Sequence, residues 1–522
     1  MAVGSKGTWR RLAFLALCLA AIALSPAPTR AELEQAPSVS YLGPLGRLSG
    51  PVVLRGGATS RGSRIVAVTF YLDGAPLGTD TTGPYALDLD AGLLPAGRHR
   101  LRVEAVDALG RRTRTKGVTV TTRARTGRML TASPTRGLTR ALAVLRQGNA
   151  TVRLRPGRYE LSEVQLGSRA RLIGSGAETV LAPPDGDEYD YVLFAKGTGI
   201  RVSDLTIDGG GPGDGEGAAV GVFDGSSDVR LQRLRILRVR QRGVAAWGAH
   251  ADVSLQDSRI EGNATALVGF SSRGSDVSRT TSVIRTRIRG FRDYGIIFSQ
   301  QRYGRPSAAL HSLALDNVVT DVKDPDRDGC YAEPQTSSGC GTNEGGIWSG
   351  GVEAALVGNT TLRTRWAGLQ TVGSSTRTTI VDNDVRLTRT GIYVERSTNE
   401  SLISRNVIVG VEKGINVEWA HDGGRSTRNT ISFNRVHGPR RFGLVVSVQA
   451  DGHRIVGNVF VGGARPAILI QGSSGNLLAQ NRACGATGPI VREEPARRDD
   501  GGEARPQGNR LVGNTSSARP CG

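Results

Sequence analysis

Two glutamates 23 residues apart, Glu395 and Glu418, carry the clearest chemical signal in the chain. Each closes the same short pattern, Gly391-Ile392-Tyr393-Val394-Glu395 and Gly414-Ile415-Asn416-Val417-Glu418. If the two runs are neighbouring parallel strands, about 4.8 Å apart, their carboxylates come within about 5 to 6 Å of each other. One carboxyl then keeps its proton while the other stays ionised, which suits glycosidic bond cleavage. The alternative is a pair of exposed glutamates that splay apart towards Arg396 or Lys413. His421 and Asp422, just after Glu418, are placed to shuttle a proton or touch substrate.

The elements that would position these residues are visible as a beat. Gly368, Gly391, Gly414, Gly443 and Ala467 follow one another at steps of 23, 23, 29 and 24, and Asn359, Asn383, Asn406, Asn434, Asn458 and Asn481 at 24, 23, 28, 24 and 23. Two markers sharing one period, long step included, indicate stacked coils, and β-branched runs between glycine and asparagine corners make them β-coils. Asparagine suits a corner because it tolerates the left-handed conformation and can stack its amide on the next coil. Strand alternation turns Ile347, Leu369, Ile392, Ile415, Leu444 and Ile468 inward, so Trp348, Gln370, Tyr393 and Asn416 face outward. An exposed row of rings and amides is what a sugar-binding surface needs; an ordinary solvated sheet face is the plainer reading. Trp419 and Glu344 flank the row as further substrate contacts.

Coils longer than 23 residues locate the walls of this face. Gly295 to Asn317 spans 22 residues and Gly414 to Asn434 spans 20, where regular coils need 15, while Asn317 to Gly346 takes 29. The largest insertion places Asp324, Asp326 and Asp328 before Gly329, with Glu333 nearby. Alternate carboxylates on a tight turn resemble the start of a calcium loop, although Gln335 stands where an EF-hand has glutamate; an acidic turn held by Cys330 and Cys340 is the alternative. The cysteines other than Cys18 fall into two local pairs, Cys330 with Cys340 and Cys484 with Cys521, expected as disulfides of an oxidising compartment.

From about Thr151 onward, TVRLRPGRYEL and RLIGSGAETVL resemble the first coil of right-handed parallel β-helices of the pectate-lyase-like superfamily. That resemblance implies a polysaccharide lyase, hydrolase or epimerase, or a non-catalytic binding protein. It transfers no catalytic residue, because neither the paired aspartates of polygalacturonases nor the acidic-histidine set of mannuronan epimerases is present. Residues 38–122 alternate apolar and polar positions around Asp73-Gly74 and Pro95-Ala96-Gly97 turns. With Tyr71, Asp73, Gly74, Tyr85, Leu94, Asp107 and Gly110 they are similar to bacterial Ig-like domains, which implies a β-sandwich acting as spacer or weak binder.

The expected organisation is a signal peptide over 1–31, the Ig-like sandwich over 38–122, a linker over 123–132, a capping helix over 133–148 and the all-β parallel β-helix over 149–522. Lys6, Arg10 and Arg11 precede an apolar run from Leu12 to Leu24, which is short for a bilayer span. In the helix, Ser133 is the expected N-cap, Pro134 the first helical residue and Gly148 the stop. The formal charge is +20, of which +16 remains without Lys6, Arg10, Arg11 and Arg30. Only five lysines contribute, so the excess is arginine spread over every coil, and no dense basic cluster with interleaved aromatics points to nucleic acid. The expectation is a secreted or cell-surface monomer, without a membrane span after signal cleavage, that binds and cleaves a polysaccharide or cell-wall glycan. A non-catalytic wall-binding or adhesive protein is the alternative, and a scaffold for a protein partner a third reading.

Overall fold

The computed structural model describes residues 35–519, except 124–128, 187–188, 211–216, 240–241, 249, 263–265, 273–278, 301–309, 322–344, 352, 374, 396, 419–423, 464–465, 486–488 and 499–500. Short β-branched runs punctuated by glycine and asparagine coil into two parallel sheets. One has 13 strands, from Val164–Leu166 to Val491–Glu494; the other, the spine, has 27, because most coils lay two strands on it. Ile296, Ile347, Leu369, Ile392, Ile415, Leu444 and Ile468 face one another in register along the 13-stranded sheet. All are fully buried and belong to one continuous core. The expected inward ladder is therefore the centre of the fold.

The spine bends at asparagines. From Asn317 through 359, 383, 406, 434, 458 and 481 to Asn514, each Nδ2 donates to the next coil's Oδ1 at 2.8–3.0 Å. The left-handed conformation expected of these asparagines belongs instead to the residue before each: Asp316, Gly358, Asp382, Arg405, Phe433, Gly457, Gln480 and Gly513 have φ between 54 and 67°. The preceding residue turns the corner, and the asparagine behind it aims its amide along the stack, where it also frees no backbone donor: Asn406 N–H, for example, donates to Asn434 Oδ1 at 3.0 Å.

The first coil is closed by a helix, Leu138–Gln147, which buries Ala141 and Leu145 against the core and stops at Gly148. Its start differs from expectation. Gly137 is the N-cap, and Ser133 instead makes a tight turn with Arg136, N–H to C=O in both directions at 2.9 and 3.2 Å. The strand Leu130–Ala132 already pairs with Thr151–Leu154, so Ser133-Pro134 is needed to reverse the chain out of the sheet.

The N-terminal unit is a sandwich of a three-stranded and a six-stranded sheet around Leu54, Val68, Phe70, Leu101, Val103 and Val120. Asp73 and Gly74, at φ 52 and 90°, make the tight hairpin between Ile65–Leu72 and Ala75–Asp80. It is no loose spacer. Val66, Ala67, Val106 and Ala108 share a buried cluster with Ile284, Leu313, Leu315, Ala355 and Val357 of the spine. Thr79 exchanges two backbone hydrogen bonds with the buried Gln256 amide, both 3.0 Å. Charged corner residues of the spine pair between coils, Asp204 with Arg233, Asp257 with Arg285 and Asp382 with Arg405. After Asp316 the next corner is Gly358, which has no side chain, and Arg112 of the sandwich takes the vacant place with two hydrogen bonds of 2.8 and 2.6 Å to Asp316.

Candidate functional site

The outward row lies as its alternation requires. Ile297, Trp348, Gln370, Tyr393, Asn416 and Val445 are register neighbours on successive strands of the 13-stranded sheet. The expected exposure is not found: Trp348 is 8% exposed, Gln370 0%, Tyr393 6% and Asn416 2%. Strands so close set large side chains edge to edge. The Trp348 ring lies 6.1 Å from Tyr294 and leans over Gly350, and Trp366 meets Tyr393 edge-on at 6.3 Å. Gln370 lies in register between Trp348 and Tyr393, and among the described residues neither its Nε2 nor its Oε1 has a hydrogen-bond partner. A buried amide without partners is costly, and at 0% exposure it is closed to any ligand unless the row opens.

Glu395 and Glu418 stand one coil apart. Val394 and Val417, just before them, are register partners, and Glu418 N–H donates to Val394 C=O at 2.8 Å. Both glutamates are half-buried. The Glu418 carboxylate accepts from Tyr393 Oη at 2.8 Å and from Asn416 Nδ2, with Lys413 Nζ at 3.5 Å. The row thus orients Glu418, while the Lys413 pairing weighed from the sequence is also present.

Several expected site residues lie outside the described residues: Trp419, His421, Asp422, Glu344, the calcium candidates Asp324, Asp326, Asp328 and Glu333, and the cysteines Cys330, Cys340 and Cys521. Cys484 is buried in the spine next to the Ser517 rung. Sequence reasoning missed Trp366, which carries the Arg389 guanidinium 4.6 Å above its ring. It also missed an aromatic bank on the first coils, where Tyr191 lies 5.0 Å from Phe223 and 5.9 Å from Trp247, and Phe194 lies 5.2 Å from Phe223. Phe194 belongs to the same outward row, which Gln165 opens and Gly221, Ala245, Gly269 and Ile297 continue. Projecting the alternation backwards would have found it, had the beat of glycine and asparagine not faded before Asn317.

Parallel register over coil after coil and a sandwich at the start decide the architecture. The chain is a right-handed parallel β-helix with an N-terminal Ig-like domain. A family model described as periplasmic copper-binding protein (NosD) matches residues 334–516, and a bacterial Ig domain model matches residues 37–103. Comparison with curated proteins yields no match. Similar solved structures include a GH87 alpha-1,3-glucanase catalytic domain at 14% identity, covering 91% of this chain and 92% of that one with a TM-score of 0.48. The catalytic unit of the corresponding enzyme from Streptomyces thermodiastaticus is 12% identical, with coverages of 93% and 95% and a TM-score of 0.39. A mannuronan C-5 epimerase A-module from Azotobacter vinelandii is 16% identical, with coverages of 72% and 88% and a TM-score of 0.34.

Copper fits the described residues of the matched segment poorly. Copper is held by cysteine, methionine and histidine, and that segment contains no methionine. His437 is half-buried, His453 on the next coil is buried with Nδ1 accepting the Asn429 N–H at 3.1 Å, and Cys484 is buried in a further coil. No group of three or more His, Cys, Asp or Glu suited to a metal occurs among the described residues. No described helix is long and apolar enough to cross a membrane.

Proposed function

We propose that this protein binds a polysaccharide along the outward row of the 13-stranded sheet and cleaves it with Glu395 and Glu418. The observation that carries this reading is the orientation of Glu418 by Tyr393 and Asn416, one coil from Glu395. At the strand spacing of about 4.8 Å, the two carboxyl groups suit a retaining hydrolase, whose acid and nucleophile lie about 5 to 5.5 Å apart. Glu418, already accepting from several donors, attacks the anomeric carbon, while Glu395 gives its proton to the leaving oxygen. Water then releases the sugar, its proton returning to Glu395. The small exposed edges of Trp348 and Tyr393 supply apolar contact to the sugar.

The Lys413 contact favours a second reading, in which the glutamates only hold the glycan. Residues 1–31 as a signal peptide, the cysteine pairs as disulfides and calcium in the Asp324 to Asp328 loop complete the proposal of a monomeric extracytoplasmic protein. Glu395→Gln and Glu418→Gln should each abolish the release of reducing ends from a cleaved polysaccharide while leaving the glycan bound. Turnover retained in both removes the pair from the chemistry, and binding without product in the wild type supports the second reading.

A further inference from the structure

A second site lies where the Ig-like domain meets the first coils, remote from the glutamate pair. Here Arg171, Arg201 and Arg230 occupy the same register position on three successive strands of the spine, so three like charges are stacked about 4.8 Å apart. With Arg153 they form one wall of a cleft of about 210 Å³, and Leu87 and Leu89 of the sandwich form the opposite one. Asp228 holds Arg201 by two hydrogen bonds of 2.9 and 2.7 Å and lies 3.8 Å from Arg230 Nε. Among the described residues, Arg230 Nη1 and Arg153 Nε are buried without a hydrogen-bond partner.

Three aspartates line the cleft against five arginines, Arg153, Arg171, Arg201, Arg230 and Arg233. Asp204 is held by Arg233 at 2.5 and 2.7 Å, and Asp90 accepts the Gly92 N–H at 3.0 Å. Asp88 approaches Arg201 at 4.0 Å. Arginine is therefore in excess of aspartate in this cleft, although Asp228 also reaches Arg230 Nε at 3.8 Å, and the sandwich wall sets Leu87 and Leu89 beside Asp88 and Asp90. Burial, with the Arg201 guanidinium beside it, pushes Arg230 below the ordinary arginine range, a cost that a bound anion would reverse.

We propose that this cleft binds a small organic anion, its carboxylate or phosphate held in the guanidinium forks of Arg153, Arg171 and Arg230 and its apolar face laid on Leu87 and Leu89. Guanidinium forks match both oxyanions in bidentate geometry, and the leucine wall excludes a bare inorganic ion as the best occupant. Because the Ig-like domain supplies that wall, the domain becomes part of a binding site. The inference stands apart from the glycan reading of the groove.

The test is calorimetric titration of the full chain with glucuronate, glucose 6-phosphate, inorganic phosphate and neutral glucose, at about 0.15 M salt, where exposed charges are largely screened beyond about 8 Å. Saturable binding of glucuronate or glucose 6-phosphate, tighter than inorganic phosphate and absent for glucose, is expected, and the stronger of the two identifies the oxyanion. Arg171→Gln and Arg153→Gln, at half-buried positions, should each weaken it by about tenfold, the usual worth of a charge-assisted hydrogen bond. Circular dichroism confirms that both variants fold. No saturable binding of either sugar anion, inorganic phosphate binding as tightly, or unchanged affinity in both folded variants would overturn the proposal.

Discussion

His453 makes the fold sensitive to acid in a way that can be worked out from its place in the structure. It belongs to a second ladder, in which Asn429 N–H donates to His453 Nδ1 at 3.1 Å, His453 N–H to Asn476 Oδ1 at 2.9 Å and Asn476 N–H to Asn509 Oδ1 at 2.8 Å. A histidine thus stands where its neighbours are asparagines, and burial pushes its pKa from 6.5 down to about 4. The folded chain therefore takes up a proton less readily than the unfolded one. Stability from this group is complete above the unfolded value and is lost as pH falls from about 6.5 towards 4, by about 3 kcal/mol in all. At about pH 4.5 roughly 2.5 kcal/mol of that has gone. His453→Asn keeps an acceptor for the Asn429 N–H and cannot titrate, so it should lack this share of the acid loss even if it is less stable at neutral pH. Guanidinium unfolding of both chains at about pH 7.5 and about pH 4.5 isolates the term as a difference of differences. An equal acid loss in the two would refute the reasoning.

Two further tests address other parts of the chain. Replacing Arg112 by Met leaves Asp316 opposite the side-chain gap at Gly358; at this partly exposed site a bidentate pair is worth about 1 kcal/mol. A double-mutant cycle with Asp316→Asn should recover about that coupling, and a coupling indistinguishable from zero would show that the apolar cluster alone holds the sandwich. Calcium removal by a chelator should lower the melting temperature if the Asp324 to Asp328 loop binds the ion; an unchanged melting temperature counts against that loop.

Much of the β-helix was legible because its coils repeat. Glycines and asparagines at matching steps placed the strands, and the Ile347 to Ile468 ladder followed from period-two alternation. What escaped depended on contacts between coils or domains that no single repeat encodes. The outward row has the direction expected of it, yet ring packing between neighbouring strands buries Trp348 and Tyr393, and no local pattern announces that. The left-handed corner passes to the residue before each asparagine because the amide must point along the stack. Ser133-Pro134 has the composition of a helix start, but the adjoining strand needs those residues for a turn. The docking of Arg112 on Asp316 joins positions 204 residues apart, and the arginine cleft arises only when the first coils and the sandwich come together. The glutamate pair was legible because both members sit at one place in a regular repeat.

The most direct test of the central claim is glycan binding by the full chain across a panel of neutral and acidic polysaccharides, comparing wild type with Trp348→Ala and Tyr393→Ala. At least one polysaccharide should bind, and both substitutions should weaken it, Tyr393→Ala also freeing the Glu418 carboxylate of one donor. Binding unchanged in both variants, or no binding to any polysaccharide, would contradict it.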